Sequence, residues 1–252
     1  MIPIVTFFAV GKGNMILLQF SNGINMLVDC NSPESGPSPV EYLRSKIRTL
    51  DFVVVTHPHQ DHITGLEDIC RHFRPKYLWH NGRYFKPDPV YDDWTFYENL
   101  RGGKYSYCTP TCLRAGQTAT IGQTKLLILG PKMPHLDGTT EDENNNSILL
   151  KITDSSSSIV LTGDTQEAQW GVADLTALKG TSVFLASHHG RESGFSERVL
   201  RIAQPQLVVI SDGECCDTDA THKYEKFAPV RTTRSGNIVL RPQVQVAAQI
   251  AL

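Results

Sequence analysis

The chain of 252 residues contains no run of about 18 apolar residues, the length a helix needs to cross a bilayer, so no membrane span is expected. It also lacks net charge of either sign in any strength, at −2. That excludes a global pull towards nucleic acid or anionic lipid but leaves room for a local patch. A disulfide framework is missing as well. Cys30, Cys70, Cys108, Cys112, Cys215 and Cys216 make one adjacent pair and one Cys-x3-Cys pair, without the spacing of a stapled secreted domain. Free thiols in a reducing cytoplasm are the expectation. Cys108 and Cys112 have no second close pair with which to build a zinc knuckle. The apolar start, Met1-Ile2-Pro3-Ile4-Val5-Thr6-Phe7-Phe8, has no basic lead and no small-residue cleavage site. It reads as a strand and not as a signal peptide.

What is present is an ordinary globular composition, 40% hydrophobic and 20% charged, enough for a core without staples. The length suits one domain over 1–252, with a partly helical insertion over the site at 81–115. Three β-rich runs, 4–10, 15–20 and 24–29, are separated by Gly-containing turns and predict two successive antiparallel hairpins. A helix is expected over 39–50, where Val40, Leu43 and Ile47 recur at helical spacing. Strand 51–55, helix 65–73 and strand 76–79 follow. The second half predicts strands at 118–121, 125–129, 147–152 and 158–161, a loop at 137–146, a helix at 168–178, strand 182–186, helix 197–203 and strand 207–211. A terminal hairpin, 230–233 with 237–241 across Ser235-Gly236, and a last strand at 244–250 complete the pattern. Strands first, then strands mixed with helices, twice over, predict two sheets face to face with helices outside.

The densest chemical signal is Thr56-His57-Pro58-His59-Gln60-Asp61-His62, directly after the β-branched run 51–55. Imidazole and carboxylate are good ligands for zinc and related divalent ions. His57 and His59, two apart on an extended segment, project to one side. Asp61 and His62 open the turn into a helix and face a second position. With nine histidines in the whole chain, three within six residues is not a chance surface loop. His72, His80 and His135 have no partner at metal spacing.

His57-x-His59-x-Asp61-His62 after an apolar strand resembles the signature of the metallo-β-lactamase superfamily. Leu27-Val28-Asp29 resembles its strand beneath the site, Ile159-Val160-Leu161-Thr162-Gly163-Asp164 its later strand ending in a bridging aspartate, and Ser187-His188-His189-Gly190 a third metal-proximal loop. The likeness covers nearly the whole chain. It implies an α/β (α+β) fold, an αββα sandwich with a one- or two-metal site at one sheet edge. Thr6–Asn14, Asn144–Leu150, Ser187–Gly190 and Thr233-x-x-Gly236-x-Ile238 resemble the hydrolase domain of the competence protein ComEC, a branch linked to DNA degradation during uptake, with a relative that hydrolyses phosphorylcholine esters. ComEC carries membrane helices, so a free-standing version is implied here. Three departures stand out. The branch usually has Asp where this chain has Ala9 and Asn14, and many superfamily members have a histidine where this chain has Asn144-Asn145-Asn146.

The resemblance implies two divalent ions, zinc or manganese, with His57 and His59 on the first, Asp61 and His62 on the second, and Asp164 bridging. One of His188 and His189 completes the second site, His188 being favoured; His189 or His222 protonates the leaving group. Asp61 orients a metal-activated water. Asn145 and Arg191 are candidate substrate contacts. Nucleic acid is the expected substrate, held in a groove of Arg83, Lys86, Arg101, Lys104, Arg191 and Arg198, with Tyr84, Phe85, Tyr105 and Tyr107 stacking bases. A hydrolase of small esters, lactones, thioesters or phosphorylcholine-type substrates, and a metal-binding module without catalysis, are the alternatives.

Overall fold

The computed structural model describes residues 2–83, 86–87, 89–132, 143–155 and 157–242. The expected strand at 244–250, His135, the stacking candidates Tyr84 and Phe85, and most of the loop at 137–146 lie outside them.

The first half builds β1 (Ile4–Phe7), β2 (Met15–Gln19), β3 (Asn25–Cys30), α1 (Pro39–Arg44), β4 (Phe52–Val55), α2 (Gln60–Ile63), α3 (Leu66–Phe73), β5 (Tyr77–His80), α4 (Asp92–Arg101) and β6 (Thr109–Cys112). The second builds β7 (Thr118–Ile121), β8 (Thr124–Gly130), β9 (Leu149–Thr153), β10 (Ser158–Leu161), α5 (Glu167–Val172), β11 (Val183–Leu185), α6 (Glu197–Ala203), β12 (Leu207–Ile210), α7 (Thr221–Tyr224), β13 (Val230–Thr232) and β14 (Ile238–Leu240). Among the described residues the strands form two sheets of seven, ordered β14-β1-β2-β3-β4-β5-β6 and β13-β12-β11-β10-β9-β8-β7. No described helix is long and apolar enough to cross a membrane, and the six cysteines are free.

The central strands are continuous apolar runs because both their faces are covered. Ile16, Leu18, Met26, Val28 and Val54 point into the core between the sheets, where they meet Leu126, Ile128, Leu150, Ile159 and Val209. The alternate residues Leu17, Leu27, Val53 and Val55 point outward onto Leu43, Leu66, Ile69, Tyr97 and Leu100 of α1, α3 and α4. On the other side Leu149, Val160, Phe184 and Val208 meet Trp170, Val199, Leu200 and Tyr224 of α5, α6 and α7. Three apolar interfaces between four layers make the αββα sandwich. The first helix starts where Ser38, Pro39 and Glu41 form a capping box. It ends at Arg44, six residues short of the expected end, while Ile47 and Leu50 still bury themselves in the turn that follows.

Two expectations are corrected. The tail is not a hairpin: β13 pairs parallel with β12 in the second sheet, and β14 pairs antiparallel with β1 in the first. The turn at Thr233–Ser235 carries the chain between sheets, pinned by Thr233, whose Oγ1 donates to the Asp212 carbonyl and accepts from its amide. Alternation of apolar residues reports burial of one face but not which strand lies alongside. Within 81–115, the run Thr109–Cys112 forms β6, an edge strand parallel to β5, and α4 is the crossover between them.

Strand direction places the site. β4, β11 and β12 run parallel to their neighbours. Residues 56–62, 162–164, 187–190 and 211–212 therefore all leave strands at the same edge of the sandwich. Open α/β sheets present loops, and hence ligand sites, beyond these carboxyl ends.

Candidate metal centre

His57 Nε2 lies 3.0 Å from His59 Nδ1. His62 Nε2 is 3.3 Å from Asp164 Oδ1. His189 Nε2 is 3.3 Å from Asp164 Oδ2 and 3.4 Å from Asp61 Oδ2. His57 Nε2 is 4.0 Å from Asp164 Oδ2. Asp164 thus stands in the middle. The convergent groups of donor atoms are His57, His62 and Asp164, and Asp61, His62 and His189.

Each of three histidines is aimed by its other ring nitrogen, as metal ligands usually are. Asp29 Oδ2 accepts from His62 Nδ1 at 2.8 Å, and Asp29 Oδ1 accepts from the Thr56 amide at 2.8 Å. The Ser211 carbonyl accepts from His189 Nδ1 at 3.1 Å. His57 Nδ1 sits 3.3 Å from Thr56 Oγ1 and from Ser147 Oγ. Ser147 Oγ also accepts from the Asp164 amide at 3.0 Å. The backbone contributes too. Asp29, His188 and His189 have positive φ values of 57°, 50° and 57°, sparsely occupied by such residues. At His188 and His189 two successive left-handed residues swing the chain so that His189, and not His188, turns into the cluster. His188 Nδ1 is 2.7 Å from Ser193 Oγ, and its Nε2 stays 3.8 Å from Asp164.

The donors fit a divalent ion. Ligands about 2.0–2.1 Å from a tetrahedral centre lie roughly 3.3 Å apart, close to the spacings above. His62 Nε2, His189 Nε2 and Asp164 Oδ1 are buried without a hydrogen bond, a costly state unless a further charge completes them. The electrostatics point the same way. Burial works to raise the Asp164 carboxyl, but the charges of His189 and His62 hold it well below its ordinary value. Burial lowers His57 and His59, which the neighbouring His62 reinforces, so both are neutral imidazoles with a lone pair to offer. Burial opposes the proton on His189, yet Asp164 and Asp61 raise it to about 9; His62 is raised well above its ordinary value against burial, by Asp164 and Asp29. Both shifts favour a positive charge at the place where a cation would bind.

Loading an ion must expel those protons. Metal affinity is therefore expected to rise with pH up to about 9. Calorimetric binding heats should change with the ionisation enthalpy of the buffer; heats independent of buffer would contradict the assignment. In the metal-free protein the raised His189 contributes stability that is complete below 6.5 and lost as pH rises through about 9.

Two glycines let the loops close. At Gly13 a Cβ would run into the Asp61 carbonyl and the Asn31 side chain, so the 11–14 turn lies directly against the backbone of a donor. Asn14, one of the departures, is buried there and donates its amide to the Asp61 carbonyl at 3.3 Å. Ala9 uses its amide on Asn237 Oδ1. Gly163 has φ +52°, and a Cβ there would sit 2.8 Å from that of Ser147. Gly163→Ala is expected to cost about 2–4 kcal/mol, from left-handed strain and overpacking, measured by denaturant melts. An unchanged midpoint would mean that the turn relaxes freely.

Other expected residues fall elsewhere. His222 is exposed on α7 and belongs to neither donor group. Asn145 is buried, its Oδ1 accepting from the amides of Gln166 and Gln169 at 3.1 Å each, so it caps α5. Arg83 is buried and paired with Glu143 at 3.1 Å. Arg101 pairs with Glu98 and Arg198 with Glu167. Tyr105 and Tyr107 pack against the outer core. The described part of the basic and aromatic groove is therefore largely used in packing and pairing. Arg191 lines a cleft of about 930 Å³ that opens on Asp61 and His189, with Lys12 and Arg234 also on its wall. Arg234 is held there by Asp212 and Asp219.

A sandwich of this layering with a histidine–aspartate cluster at the strand ends is the architecture of metallo-hydrolases. Residues 9–211 match the family model of the metallo-beta-lactamase superfamily, and the chain belongs to that family. It is 24% identical to ComE operon protein 3 of Bacillus subtilis over 177 residues, 69% of this chain and 22% of that protein. It is 26% identical to Recombination protein 2 of Haemophilus influenzae over 209 residues, 81% of this chain and 23% of that protein. The chain thus spans less than a quarter of the length of these relatives. Among solved structures, Igni18, a metallo hydrolase of Ignicoccus hospitalis, superposes with a TM-score of 0.62 at 16% identity, covering 95% of this chain and all of that one; this likeness is one of fold.

Proposed function

We propose that the protein is a metal-dependent phosphodiesterase, with nucleic acid as its substrate. The observation that carries this is the pair of donor groups overlapping at His62, with Asp164 against both, open to a cleft whose wall carries Lys12, Arg191 and Arg234 beside Glu34, Asp212 and Glu214. His57 and Asp164, with His59 3.0 Å from His57, would form one half of the centre, and Asp61, His62, His189 and Asp164 the other. Zinc or manganese held there would supply Lewis acidity and lower the pKa of water. The chain's own groups do the rest. Asp61, on the cleft wall, orients the attacking water. Arg191 and Lys12 bind the phosphate oxygens. His188, beside the cluster but outside the donor groups, moves the proton to the departing oxygen. The likeness to a ComE operon protein and to a recombination protein favours a polynucleotide.

A second reading has support of its own. The cleft has the volume of a small-ligand pocket, and Arg83, Tyr105 and Tyr107 are committed to packing. A small phosphodiester or other ester therefore fits the same centre.

The test is cleavage of labelled single- and double-stranded DNA and RNA, and of bis-p-nitrophenyl phosphate, with EDTA, zinc or manganese. Nitrocefin, a lactone and His59→Ala protein serve as comparisons. Metal-dependent polynucleotide cleavage lost in the variant is the expected outcome, with nucleic-acid affinity falling as salt rises. Cleavage of the small phosphodiester alone would move the substrate to the second reading. Lactone or nitrocefin turnover would overturn the phosphodiesterase. Full metal content with no turnover would mark a binding module.

A further inference from the structure

A buried ion pair stands behind the centre, on elements that supply none of its ligands. Glu143 and Arg83 are 0% and 4% exposed, and Glu143 Oε2 accepts from Arg83 Nε at 3.1 Å. Glu143 Oε1 accepts from Asn81 Nδ2 at 3.2 Å, and the same Nδ2 donates to the Asn146 carbonyl at 3.1 Å. Asn81 Oδ1 accepts from the Arg83 amide at 3.0 Å. Arg101 and Arg114 donate to the carbonyls of Arg83 and Asn81 at 2.9 and 2.7 Å. The knot ties the exits of β5 and β6 and the end of α4 to the turn Asn144–Asn146. Taking two charges out of water is costly, and an apolar pair of similar size fills such a space at less cost. Stability alone does not account for it.

The turn that Glu143 begins reaches the centre at Asn145 and Ser147. Asn145 holds the first amides of α5, which follows Asp164. Ser147 touches His57 Nδ1 and the Asp164 amide. The other half is aimed differently, by Asp29 on His62 and the Ser211 carbonyl on His189, and neither of these bonds involves the knot.

We infer that Glu143 is a positioning residue: its buried pair with Arg83 fixes the Asn144–Ser147 segment and through it the His57–His59 half of the metal centre. This rests on the reading that these histidines hold an ion. A role in positioning sets the two halves apart, whereas a merely structural role affects both or neither.

The test is titration of metal-free protein with cobalt(II), followed by visible absorption and calorimetry. Asp164 contributes to both halves, so the ion bound at the His57–His59 half is identified by its loss in His57→Ala. In Glu143→Gln its affinity is expected to fall roughly 10–100-fold, the usual effect of removing an outer support. The ion on Asp61, His62 and His189 should stay within about threefold. Glu143→Gln removes the carboxylate that Arg83 meets and threatens folding, so Glu143→Gln/Arg83→Met is measured beside it. That double variant should regain the wild-type melting temperature but not the affinity of the first half. Recovery of both, or equal weakening of both ions, overturns the positioning role. If wild type binds two ions and Glu143→Gln binds them as tightly, the metal centre stands and the inference falls. If wild type takes up no cobalt, the metal reading itself fails, and the inference with it.

Discussion

Replacing Asp164 with alanine is expected to empty both halves of the centre and to lower hydrolysis by roughly 10³-fold or more, the scale reached when charge stabilisation at a reacting centre is removed. The carboxylate is 2% exposed and lies 3.3 Å from both His62 and His189. Asp61 also approaches both, but from farther away, at 3.9 Å from His62 and 3.4 Å from His189. Without it, His62 and His189 lose the charge that keeps them protonated, and burial then favours their neutral form. The fold should therefore survive while metal content falls. Elemental analysis, circular dichroism and phosphodiester turnover check this together. A variant that keeps full metal content, or loses its fold, would falsify the central role given to Asp164.

The second large effect is expected at a residue that binds no metal in our assignment. Asp29→Asn should weaken the ion on Asp61, His62 and His189 by about 10–100-fold and lower turnover with it. The argument is one of tautomers. Asp29 Oδ1 accepts from the Thr56 amide while Oδ2 accepts from His62 Nδ1. An asparagine that keeps the first bond presents an NH₂ group to the histidine. His62 must then accept at Nδ1 and carry its proton on Nε2, the nitrogen that faces Asp164. The substitution is clean because Asp29 has φ 57°, a region asparagine tolerates well. Metal affinity equal to wild type, at an unchanged melting temperature, would show that Asp29 does not set the tautomer. A large loss of stability would instead give Asp29 a folding role.

One part of the candidate site was legible in the sequence. The Thr56–His62 run carries ligands so close in sequence that any extended segment followed by a turn gathers them. Asp164 was pointed out by the family resemblance of the strand it ends, not by its own spacing. Asp29 was pointed out in the same way at the end of β3, although its partner, His62, is 33 residues away. The choice between His188 and His189 was not legible. It depends on two consecutive left-handed residues, a conformation that neither side chain announces. Nor was the fate of Arg83. Its charge reads as a surface feature until Glu143, 60 residues later, is brought against it. Asn145 looked like a substrate contact and is occupied by the amides of α5.

The sequence by itself determined the apolar strands and the cluster of His57, His59, Asp61 and His62, because periodicity and local spacing act over a few residues, while Asp164 and the His188-His189 pair were marked by family resemblance. Tertiary structure alone decided which sheet each tail strand joins, which of two adjacent histidines comes nearer Asp164, and which cations are buried in pairs and which reach the cleft. Those outcomes depend on contacts between segments far apart in the chain, where burial and charge pairing choose among local arrangements that the sequence leaves equal.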